Sequence, residues 1–485
     1  MTTVEPTTRT ELFIGGRFRA PASTATLPVI SPLTEQQIGT VPESITADVD
    51  AAVDAARTAF ASSGWRSMPA AERATILNRF ADALQARADS RATAVSTENG
   101  MPITLSRFAE GAAPVQLLRY YAGLIGTLPV EERRSSQPMP GTTVVRREPV
   151  GVVAAIAPWN FPAILSMFKI APALAAGCTV VLKPAPETTL DSYVLAEAAI
   201  DAGLPEGVLN IVTGGAAVGE YLVAHPGIDK VAFTGSTAAG RQIGRVCGEM
   251  IRPVTLELGG KSAAIVLDDA DIETTVGGLA TASLLNTGQT CYMSTRILVP
   301  HNIYPTYVDA ISAMAAALPI GDPLDENTAI GPLVSDTQRN RVLSYIERGR
   351  ADGGTVTTGG GAPDGIDQGY FVAPTVFSGL DNTSTLAREE IFGPVLTVLG
   401  YRDVDEAIAM ANDSDYGLGG TVWTSDDERG LDVARRVDTG SFGVNTFNLD
   451  WGSPFGGVKA SGIGRELGPE GLAAYQRTKS VFLTA

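Results

Sequence analysis

The sequence predicts an α/β fold built around a Rossmann-like, doubly wound parallel sheet. Short β-rich runs alternate with helical segments from Val150 to Leu258, and the runs are GVVAAIAP, CTVVLKP, VLNIVTG, KVAFTG and PVTLEL. This alternation implies parallel strands covered by helices on both faces. Such sheets bind ligands beyond the carboxyl ends of their strands. We therefore expect a site at the turns APWN, KPAPET, TGGAA and FTGSTAAG.

Two other regions are expected to flank this sheet. Residues 46–125 predict helices, because the apolar and small residues of TADVDAAVDAARTAF recur on one helix face. Thr46 or Asp48 is expected to cap the first helix. From Lys261 to Lys459 we expect a second α/β region, with strands in SAAIVLDDA, TRILVP, YFVAPTVF, PVLTVLGY and GGTVWTS. The Gly-rich stretch ADGGTVTTGGGAPDGIDQGYF is expected to be a surface hairpin or loop.

Two extended segments lie outside these regions. Residues 127–149 predict a pair of strands with a turn at Pro138–Gly141, and the C-terminal TKSVFLTA predicts one more strand. Neither segment has an obvious local sheet to join. Because unpaired strand edges commonly pair with another subunit, we expect an oligomer.

Composition excludes several classes of protein. The formal net charge of -17 argues against a partner that is a nucleic acid or an anionic membrane. Three cysteines lie far apart without a CxxC spacing, which favours a reducing, cytoplasmic location. The N-terminal MTTVEPTTRTELFIGG has no basic run followed by an apolar segment, so we expect no secretory signal.

Cys291, in the polar stretch NTGQTCYMSTR, is the candidate nucleophile. A thiol hydrolase or a His-ligated metal enzyme fits poorly, because the chain has two histidines and both are predicted to be surface residues. Glu257 ends an apolar strand, where burial raises the pKa of a carboxyl and makes it a usable general base. The alternative is a strand-end glutamate held by Lys261.

Three further positions each allow two interpretations. The side-chain amide of Asn160, in PWNFP, can stabilise an oxyanion or can cap a helix. Gly235 and Gly240 flank a helix start in FTGSTAAG, which suits either a bound pyrophosphate or close helix–strand packing. Lys183 ends the strand VVLK, where it either binds a ribose or phosphate or is merely solvated.

Seven motifs, taken together, resemble those of one family. They are PWNFP (158–162), VVLKPAPET (180–188), FTGSTAAG (233–240), LELGGK (256–261), NTGQTC (286–291), EEIFGP (389–394) and PFGGVKASGIGRELG (454–468). Their order and spacing resemble those of NAD(P)-dependent, non-acylating bacterial members of the aldehyde dehydrogenase superfamily. The resemblance covers nearly the whole chain.

This resemblance implies a role for each candidate residue. Cys291 would attack the aldehyde carbonyl, and Asn160 with the Cys291 N–H would hold the oxyanion. Hydride would pass to the nicotinamide, and Glu257 would activate the water that hydrolyses the resulting thioester to the carboxylic acid. The resemblance implies cofactor binding by Ile156, Trp159, Lys183, Gly215, Gly235, Ser236, Glu390 and Phe392.

The implied cofactor is NAD, with NADP as the alternative. Many NAD-preferring relatives carry Glu three residues after the ribose-binding lysine, whereas this chain has Pro186 there and Glu187 one residue later. A glutamate at that place accepts the ribose hydroxyls and repels a 2′-phosphate. Its replacement by Pro186 weakens the prediction of strict NAD use.

The resemblance also implies a substrate class and a domain layout. Four residues in segments that border the substrate tunnel of relatives are apolar or aromatic: Phe161, Met167, Tyr292 and Trp451. They suggest a hydrophobic aliphatic, terpenoid or aromatic aldehyde as the small-molecule partner. Residues 1–126 and 149–259 would form the cofactor-binding domain, 260–459 the catalytic domain, and 127–148 with 460–485 the oligomerisation segments of a homodimer or homotetramer.

Two other functions compete with aldehyde oxidation. A CoA-acylating semialdehyde dehydrogenase would pass the thioester to a thiol, but such relatives typically lack the water-activating glutamate that Glu257 represents. A catalytically silent structural homologue would be expected to lose Cys291, Glu257 or Asn160, and all three are present.

Overall fold

The computed structural model describes residues 7–484 of the chain. Residues 1–6 and 485 lie outside the described range, and with them the start of the N-terminal stretch that we expect not to be a secretory signal. The strands of the described residues form five sheets, with eight, seven, three, three and two strands. Two of these sheets are large, and both are mainly parallel, as the βα alternation predicts.

The first large sheet contains the predicted doubly wound core. Its strands, in spatial order, are Gly462–Ile463, Val254–Glu257, Lys230–Thr234, Val152–Ile156, Thr179–Lys183, Leu209–Ile211, Leu12–Ile14 and Arg17–Arg19. The five central strands are parallel, and their near-continuous apolar runs are buried. The register places Ile156 beside Lys183 and Thr234 beside Glu257. The carboxyl ends of the strands therefore bring these residues to one edge.

Strand order reverses beside Val152–Ile156, since the chain first adds strands on one side of it and later on the other. A reversal of this kind opens a crevice above the carboxyl ends of the strands, which is where open α/β sheets bind ligands. Gly462–Ile463 pairs antiparallel with Val254–Glu257. A part of the segment 460–485, expected to serve oligomerisation, thus belongs to the first sheet.

The second large sheet faces this crevice. Its strands, in spatial order, are Thr355–Thr358, Thr375–Ser378, Val395–Tyr401, Arg296–Pro300, Ala263–Val266, Gly420–Trp423 and Gly443–Val444. All pairs are parallel except the first. Of the two predictions for the Gly-rich stretch, the hairpin fits Thr355–Thr358, because these residues form the edge strand and pair antiparallel with the next strand, Thr375–Ser378.

Helices cover both large sheets. They are Thr46–Ser62, Ala70–Gln85, Ala88–Asn99, Ile103–Ser106, Ala113–Leu124, Pro162–Ala176, Leu190–Asp201, Ala216–Ala224, Thr237–Glu249, Ile272–Leu284, Tyr304–Ala317, Asp336–Ala351, Thr385–Arg388, Val404–Asn412, Asp427–Arg436 and Gly468–Ala473. Neither Thr46 nor Asp48 is the N-cap of the first helix. Ile45 holds that position, and Asp48 accepts the Ile45 N–H at 2.9 Å from within the first turn. No helix among residues 7–484 has the length and apolarity needed to cross a bilayer.

The two extended segments form a small antiparallel sheet together. Thr142–Pro149 pairs with Glu131–Ser135 on one side and with Gln476–Leu483 on the other. The predicted pair of strands in 127–149 and the predicted C-terminal strand are therefore confirmed, and each segment finds its partner strand in the other. Two smaller sheets complete the described chain, one of Thr7–Thr8, Gln37–Pro42 and Thr26–Ile30, the other of Tyr416–Gly417 and Val458–Lys459.

Candidate active site

A cavity of about 280 Å³ lies between the carboxyl edge of the first sheet and the second α/β region. Seven of the predicted site residues line it: Trp159, Asn160, Gly235, Ser236, Cys291, Glu390 and Phe392. Four others lie outside its lining: Ile156, Lys183, Gly215 and Glu257. The structure thus brings the candidate nucleophile and the candidate oxyanion donor into one cavity, together with two of the four strand-to-helix turns, APWN and FTGSTAAG.

The turn before Cys291 explains the small polar residues of NTGQTC. Asn286, Thr287 and Gly288 have φ of 51°, 57° and 73°, which is the left-handed region. A Cβ on Gly288 would lie 2.3 Å from the Gly393 carbonyl oxygen, so a larger residue does not fit there. This tight turn presents the Cys291 thiol to the cavity.

The Cys291 thiol needs a base before it can react as a thiolate. Burial raises the pKa of Cys291, and the nearby carboxyls of Glu390 and Glu257 raise it further. Cys178 and Cys247 are both buried free thiols, and they do not line the cavity. Cys291 is the half-buried cysteine that a ligand in the cavity reaches.

Glu257 has the environment of a general base. Glu257 is 3% exposed, and neither of its carboxyl oxygens has a hydrogen-bond partner. Burial raises the pKa of Glu257 well above that of an ordinary carboxyl, and Glu466 raises it further. The interpretation that Lys261 holds Glu257 is not supported, because the cations that act on Glu257 are Lys169 and Arg465.

Lys169 is engaged elsewhere, which leaves Glu257 without a direct ion pair. Its Nζ donates to Glu466 Oε1 at 2.9 Å and to Thr234 Oγ1 at 2.6 Å. Lys261 lies instead near Glu390 and Arg296, and burial lowers the pKa of Lys261 to about 7. A buried carboxyl without partners is costly to ionise, so its proton affinity is high.

Asn160 does not cap the helix that follows it. The N-cap of the helix Pro162–Ala176 is Phe161, and its side chain makes no capping hydrogen bond. The Asn160 Nδ2 donates to the Gln289 carbonyl at 2.9 Å, and Asn286 Nδ2 donates to the Asn160 carbonyl at 2.9 Å. These two hydrogen bonds tie the PWNFP loop to the cysteine loop and leave one Asn160 N–H available for a ligand.

The EEIFGP segment forms the opposite wall. Glu390 Oε1 accepts the Gly260 N–H at 3.0 Å, and burial raises the pKa of Glu390 to about 7. Phe392 has a φ of 62°, and its ring meets the Trp159 ring edge-on at 5.3 Å between centroids. A Cβ on Gly259 would lie 2.3 Å from Glu390 Oε2, so the glycine lets this carboxyl approach the backbone.

Sequence reasoning missed two polar residues of the cavity, Gln338 and Arg341. Both lie on the helix Asp336–Ala351. Gln338 Nε2 donates to the Phe392 carbonyl at 2.7 Å, and Arg341 Nη2 donates to the Glu390 carbonyl at 2.6 Å. Their segment, DTQRNRVLSY, carries no motif that separates these two side chains from the other polar residues of the helix.

The two glycines of FTGSTAAG have different roles. Ser236 is the N-cap of Thr237–Glu249, and its side chain accepts the Ala239 N–H at 3.3 Å. Gly235 and Ser236 therefore place a helix N-terminus at the cavity, which is a site for phosphate oxygens. Gly240 instead serves helix–strand packing, since a Cβ there would lie 2.4 Å from the Leu258 side chain.

Lys183 is buried rather than solvated, with 5% of the residue exposed. Its Nζ donates to the Pro184 carbonyl at 3.1 Å. Burial lowers the pKa of Lys183 to about 8, and the Glu187 carboxyl acts against this shift. Glu187, in the turn Pro186–Thr188, therefore lies near the lysine. Gly215 is the N-cap of Ala216–Ala224, and in that helix a Cβ on Gly219 would contact Lys183 at 3.4 Å.

Several aromatic side chains pack against the same hydrophobic cluster as Cys291, but they lie outside the lining of the cavity. The Tyr292 ring stacks on Phe447 at 4.5 Å between centroids and meets Phe455 edge-on at 6.2 Å. The Trp451 ring meets Phe168 edge-on at 6.1 Å. Phe161 and Met167 are both buried in the core next to this group. Sequence reasoning identified Tyr292 and Trp451 here but not the two phenylalanines that pack against Tyr292.

The site fits a dinucleotide. A helix N-terminus at Ser236 and the buried Lys183, with the Glu187 carboxyl beside it, lie at the carboxyl edge of the first sheet. Glu390 lies in the opposite wall of the cavity. Among residues 7–484, no group of three or more potential ligands is placed to hold a metal ion. The fold and the cavity thus define a class of protein: an α/β enzyme with a cysteine thiol opposite a nucleotide-binding edge.

Comparison with known proteins identifies the family. The model of the aldehyde dehydrogenase family matches residues 18–481. The chain belongs to this family and is an oxidoreductase that oxidises aldehydes. A geranial dehydrogenase from Castellaniella defragrans is 53% identical over 472 residues, which are 97% of this chain and 98% of the relative. A phenylacetaldehyde dehydrogenase from Pseudomonas fluorescens is 42% identical, with 98% and 95% covered.

Solved structures agree in fold along the whole chain. A Mycobacterium tuberculosis aldehyde dehydrogenase complexed with NAD+ superposes with a TM-score of 0.97 and 45% identity, covering 99% of each chain. A Pseudomonas syringae aldehyde dehydrogenase in complex with NAD+ and octanal gives a TM-score of 0.94 and 38% identity, covering 99% of this chain and 96% of that one.

Proposed function

We propose that this aldehyde dehydrogenase oxidises a hydrophobic aldehyde to the carboxylic acid with NAD+, through a thioester on Cys291. The observation that carries the proposal is the convergence of Cys291 and Asn160 in one cavity, with the unpaired carboxyl of Glu257 close enough to raise the pKa of the thiol. A nucleophile, an oxyanion donor and a base are the three groups that acyl chemistry on a thiol requires.

Three residues carry the steps of this mechanism. The Cys291 thiol passes its proton to the Glu257 carboxylate, which releases it to solvent, and the thiolate attacks the carbonyl carbon. The free N–H of Asn160 holds the oxygen that becomes negative. When bound, NAD+ accepts the hydride that leaves this carbon. Glu257 then takes a proton from water as the water attacks the thioester. Since Glu257 does not line the cavity, its side chain rotates or a second water relays the proton.

The proposed substrate class rests on the apolar and aromatic residues near Cys291. The rings of Tyr292, Phe447 and Trp451 pack against the same hydrophobic cluster as Cys291. An aromatic substrate that stacks on one of these rings gains about 0.5–1.5 kcal/mol beyond area burial. The similarity to a geranial dehydrogenase and to a phenylacetaldehyde dehydrogenase supports a terpenoid or aromatic aldehyde.

The preference for NAD+ over NADP+ is proposed to rest on Glu187. Its half-buried carboxyl lies near Lys183, where it would accept ribose hydroxyls and repel a 2′-phosphate. Glu187→Gln is expected to lower the ratio of kcat/KM for NAD+ to kcat/KM for NADP+. An unchanged ratio would assign the preference to other residues.

Turnover with a panel of aldehydes tests the function. Purified protein is mixed with NAD+ or NADP+ and with hexanal, benzaldehyde or succinate semialdehyde, and absorbance of the reduced cofactor is followed. We expect turnover with the apolar aldehydes and loss of turnover in Cys291→Ala. A wild type that oxidises no aldehyde, or an alanine variant that keeps the wild-type rate, contradicts the proposal.

A second variant separates hydrolysis from transfer to CoA. Glu257→Gln is expected to give one burst of reduced cofactor per active site and then to stall at the thioester, because the base that activates water is lost. General-base catalysis contributes about 10²–10⁴-fold. Acceleration of wild-type turnover by added CoA, with acyl-CoA as the product, would favour the acylating alternative instead.

We also propose a cytoplasmic homodimer or homotetramer, with the domain boundaries given above. The three-stranded sheet supports assembly, because its edge strand Gln476–Leu483 exposes 40% of Val481 and 79% of Phe482. Light scattering after size-exclusion chromatography tests this, and Phe482→Asp is expected to shift the mass towards the monomer. A monomeric wild type would contradict it.

A further inference from the structure

Two buried carboxylates of the N-terminal helices reach the starts of two helices in the first α/β region. Glu110 Oε2 accepts the Ala163 N–H at 2.6 Å, at the start of Pro162–Ala176. Glu98 accepts the Leu190 and Asp191 N–H groups at 3.0 Å and 3.1 Å, at the start of Leu190–Asp201. Both glutamates are fully buried, each with 0% of the residue exposed.

Each of these helices directly follows a loop of the site. PWNFP, with Asn160, precedes Pro162–Ala176, and the loop from Lys183 through Glu187 precedes Leu190–Asp201. The N-caps of the two helices, Phe161 and Thr189, provide no side-chain cap. The distant glutamates therefore satisfy N–H groups that a local Ser or Asp would ordinarily satisfy.

A cap from a distant segment fixes the start of a helix relative to that segment, which a local cap cannot do. Glu110 lies in the π-helical turn Arg107–Ala112, and Arg91 holds that turn by donating to the Glu110 and Gly111 carbonyls, both at 2.6 Å. Asn99, next to Glu98, donates from Nδ2 to the Trp159 carbonyl at 2.8 Å. The N-terminal helices thus hold both loops through buried hydrogen bonds.

Capping a helix with a buried glutamate from a distant segment costs free energy, so it needs a benefit that a local cap does not give. Burying a carboxyl group requires compensating hydrogen bonds in either protonation state, and Glu110 Oε1 has none. A serine at the N-cap would satisfy the same N–H with fewer buried polar atoms. What the buried glutamates add is a fixed distance between each loop and the helical layer behind the sheet.

We propose that Glu110 and Glu98 are positioning residues for the two halves of the site, Glu110 for the oxyanion loop and Glu98 for the cofactor loop. The inference rests on the proposed function. Displacement of Asn160 weakens the oxyanion contact, so it affects the chemical step. Displacement of the Lys183–Glu187 loop weakens the grip on the adenosine half of the cofactor, so it affects cofactor affinity.

Pairs of variants test this. Glu110→Met and Glu98→Met fill the space without accepting a hydrogen bond, whereas Glu110→Gln and Glu98→Gln keep an acceptor oxygen. Measurements are the rate of the first burst of reduced cofactor, the Kd for NAD+ from calorimetry, and Tm. Since a misplacement of about 1 Å costs about 10²-fold in rate, Glu110→Met is expected to slow the burst 10- to 100-fold.

The two sites should respond differently. Glu110→Met should change the Kd for NAD+ by less than about threefold, and Glu110→Gln should recover most of the burst rate. Glu98→Met should raise that Kd about tenfold while changing the burst rate at saturating NAD+ much less, because the buried Leu190 and Asp191 N–H groups lose their acceptor and the cofactor loop is no longer held. Glu98→Gln should recover part of the affinity, since one amide oxygen replaces two carboxyl oxygens.

Asp48 provides the matched control. This buried carboxylate accepts the Ala22 N–H at 2.7 Å and the Ile45 N–H at 2.9 Å, and it lies at the start of a helix that carries no site loop. Asp48→Ala is expected to lower Tm without changing the burst rate or the Kd. Methionine variants that behave like Asp48→Ala, or that both change the same parameter, overturn the inference. A wild type without any burst would instead contradict the proposed function.

Discussion

Replacing Glu110 by glutamine should change how the stability of the protein depends on pH. Burial raises the pKa of Glu110 from 4.5 to about 8, and the nearby carboxyl of Asp191 acts in the same direction. The folded state therefore keeps this proton at pH values where the unfolded chain has released it. The contribution of Glu110 to the free energy of unfolding is fully present below a pH of about 4.5, and it is lost as the pH rises towards about 8. Glutamine does not ionise, so the variant lacks this loss.

The magnitude follows from the size of the shift. One pKa unit is equivalent to about 1.4 kcal/mol, and the folded and unfolded pKa values of about 8 and 4.5 give a loss of about 2.5 kcal/mol between pH 5 and pH 7. Asp191, whose pKa burial raises to about 6, remains in the variant and contributes to the pH dependence of both proteins. The difference between the two proteins therefore reports on Glu110.

Urea denaturation at pH 5, 6, 7 and 8 measures this difference. The free energy of unfolding of Glu110→Gln should rise relative to wild type as the pH rises, by about 2.5 kcal/mol from pH 5 to pH 7. Glu347→Gln, at a side chain that is 73% exposed, is the control and should run parallel to wild type. Parallel curves for Glu110→Gln and wild type would refute the reasoning.

Three further predictions concern the reaction. Asn160→Ala is expected to lower kcat by about 10²–10³, because an oxyanion donor is lost, and a kcat within about threefold of wild type would assign the oxyanion to other groups. The acid limb of the kcat–pH profile is expected at a pKa well above that of an ordinary carboxyl, because Glu257 must be ionised to act and burial raises its pKa; a limb near pH 4.5 would argue for another base. Phe447→Ala, which removes the ring stacked on Tyr292, should lower kcat/KM for benzaldehyde more than for hexanal; equal losses would exclude this ring from substrate selection.

Much of the fold was predictable because its signals are local. The apolar runs that end at Ile156, Lys183, Thr234 and Glu257 form the central strands, and the helical spacing of residues 46–125 is present in the helices observed there. The Gly-rich stretch 351–371 allowed either a hairpin or a loop, and only the pairing of Thr355–Thr358 with Thr375–Ser378 decides for a strand there. The pairing of Gln476–Leu483 with Thr142–Pro149 is hidden from local patterns, because more than 300 residues separate them.

The residues of the candidate site also fall into those that local motifs predict and those that only the folded chain reveals. Cys291, Asn160, Gly235, Ser236, Glu390 and Phe392 lie in motifs whose glycines and prolines shape the backbone locally, and all six line one cavity. Gln338 and Arg341 join it through contacts to backbone carbonyls of another segment, which no spacing within their own helix encodes. Glu110 and Glu98 are two further examples, since their partners lie 53 and 92 residues away.

The layers, the catalytic candidates and the family resemblance could be read from the sequence, because apolar periodicity and short turn motifs depend on neighbours along the chain. The choice between the two interpretations of each candidate required the folded chain. Folding removed Lys261 as the partner of Glu257, excluded a capping role for Asn160, and buried Lys183 beside Glu187. Those outcomes depend on which groups meet in a low-dielectric interior, and burial and hydrogen bonding between distant segments set the proton affinity of every group at the site.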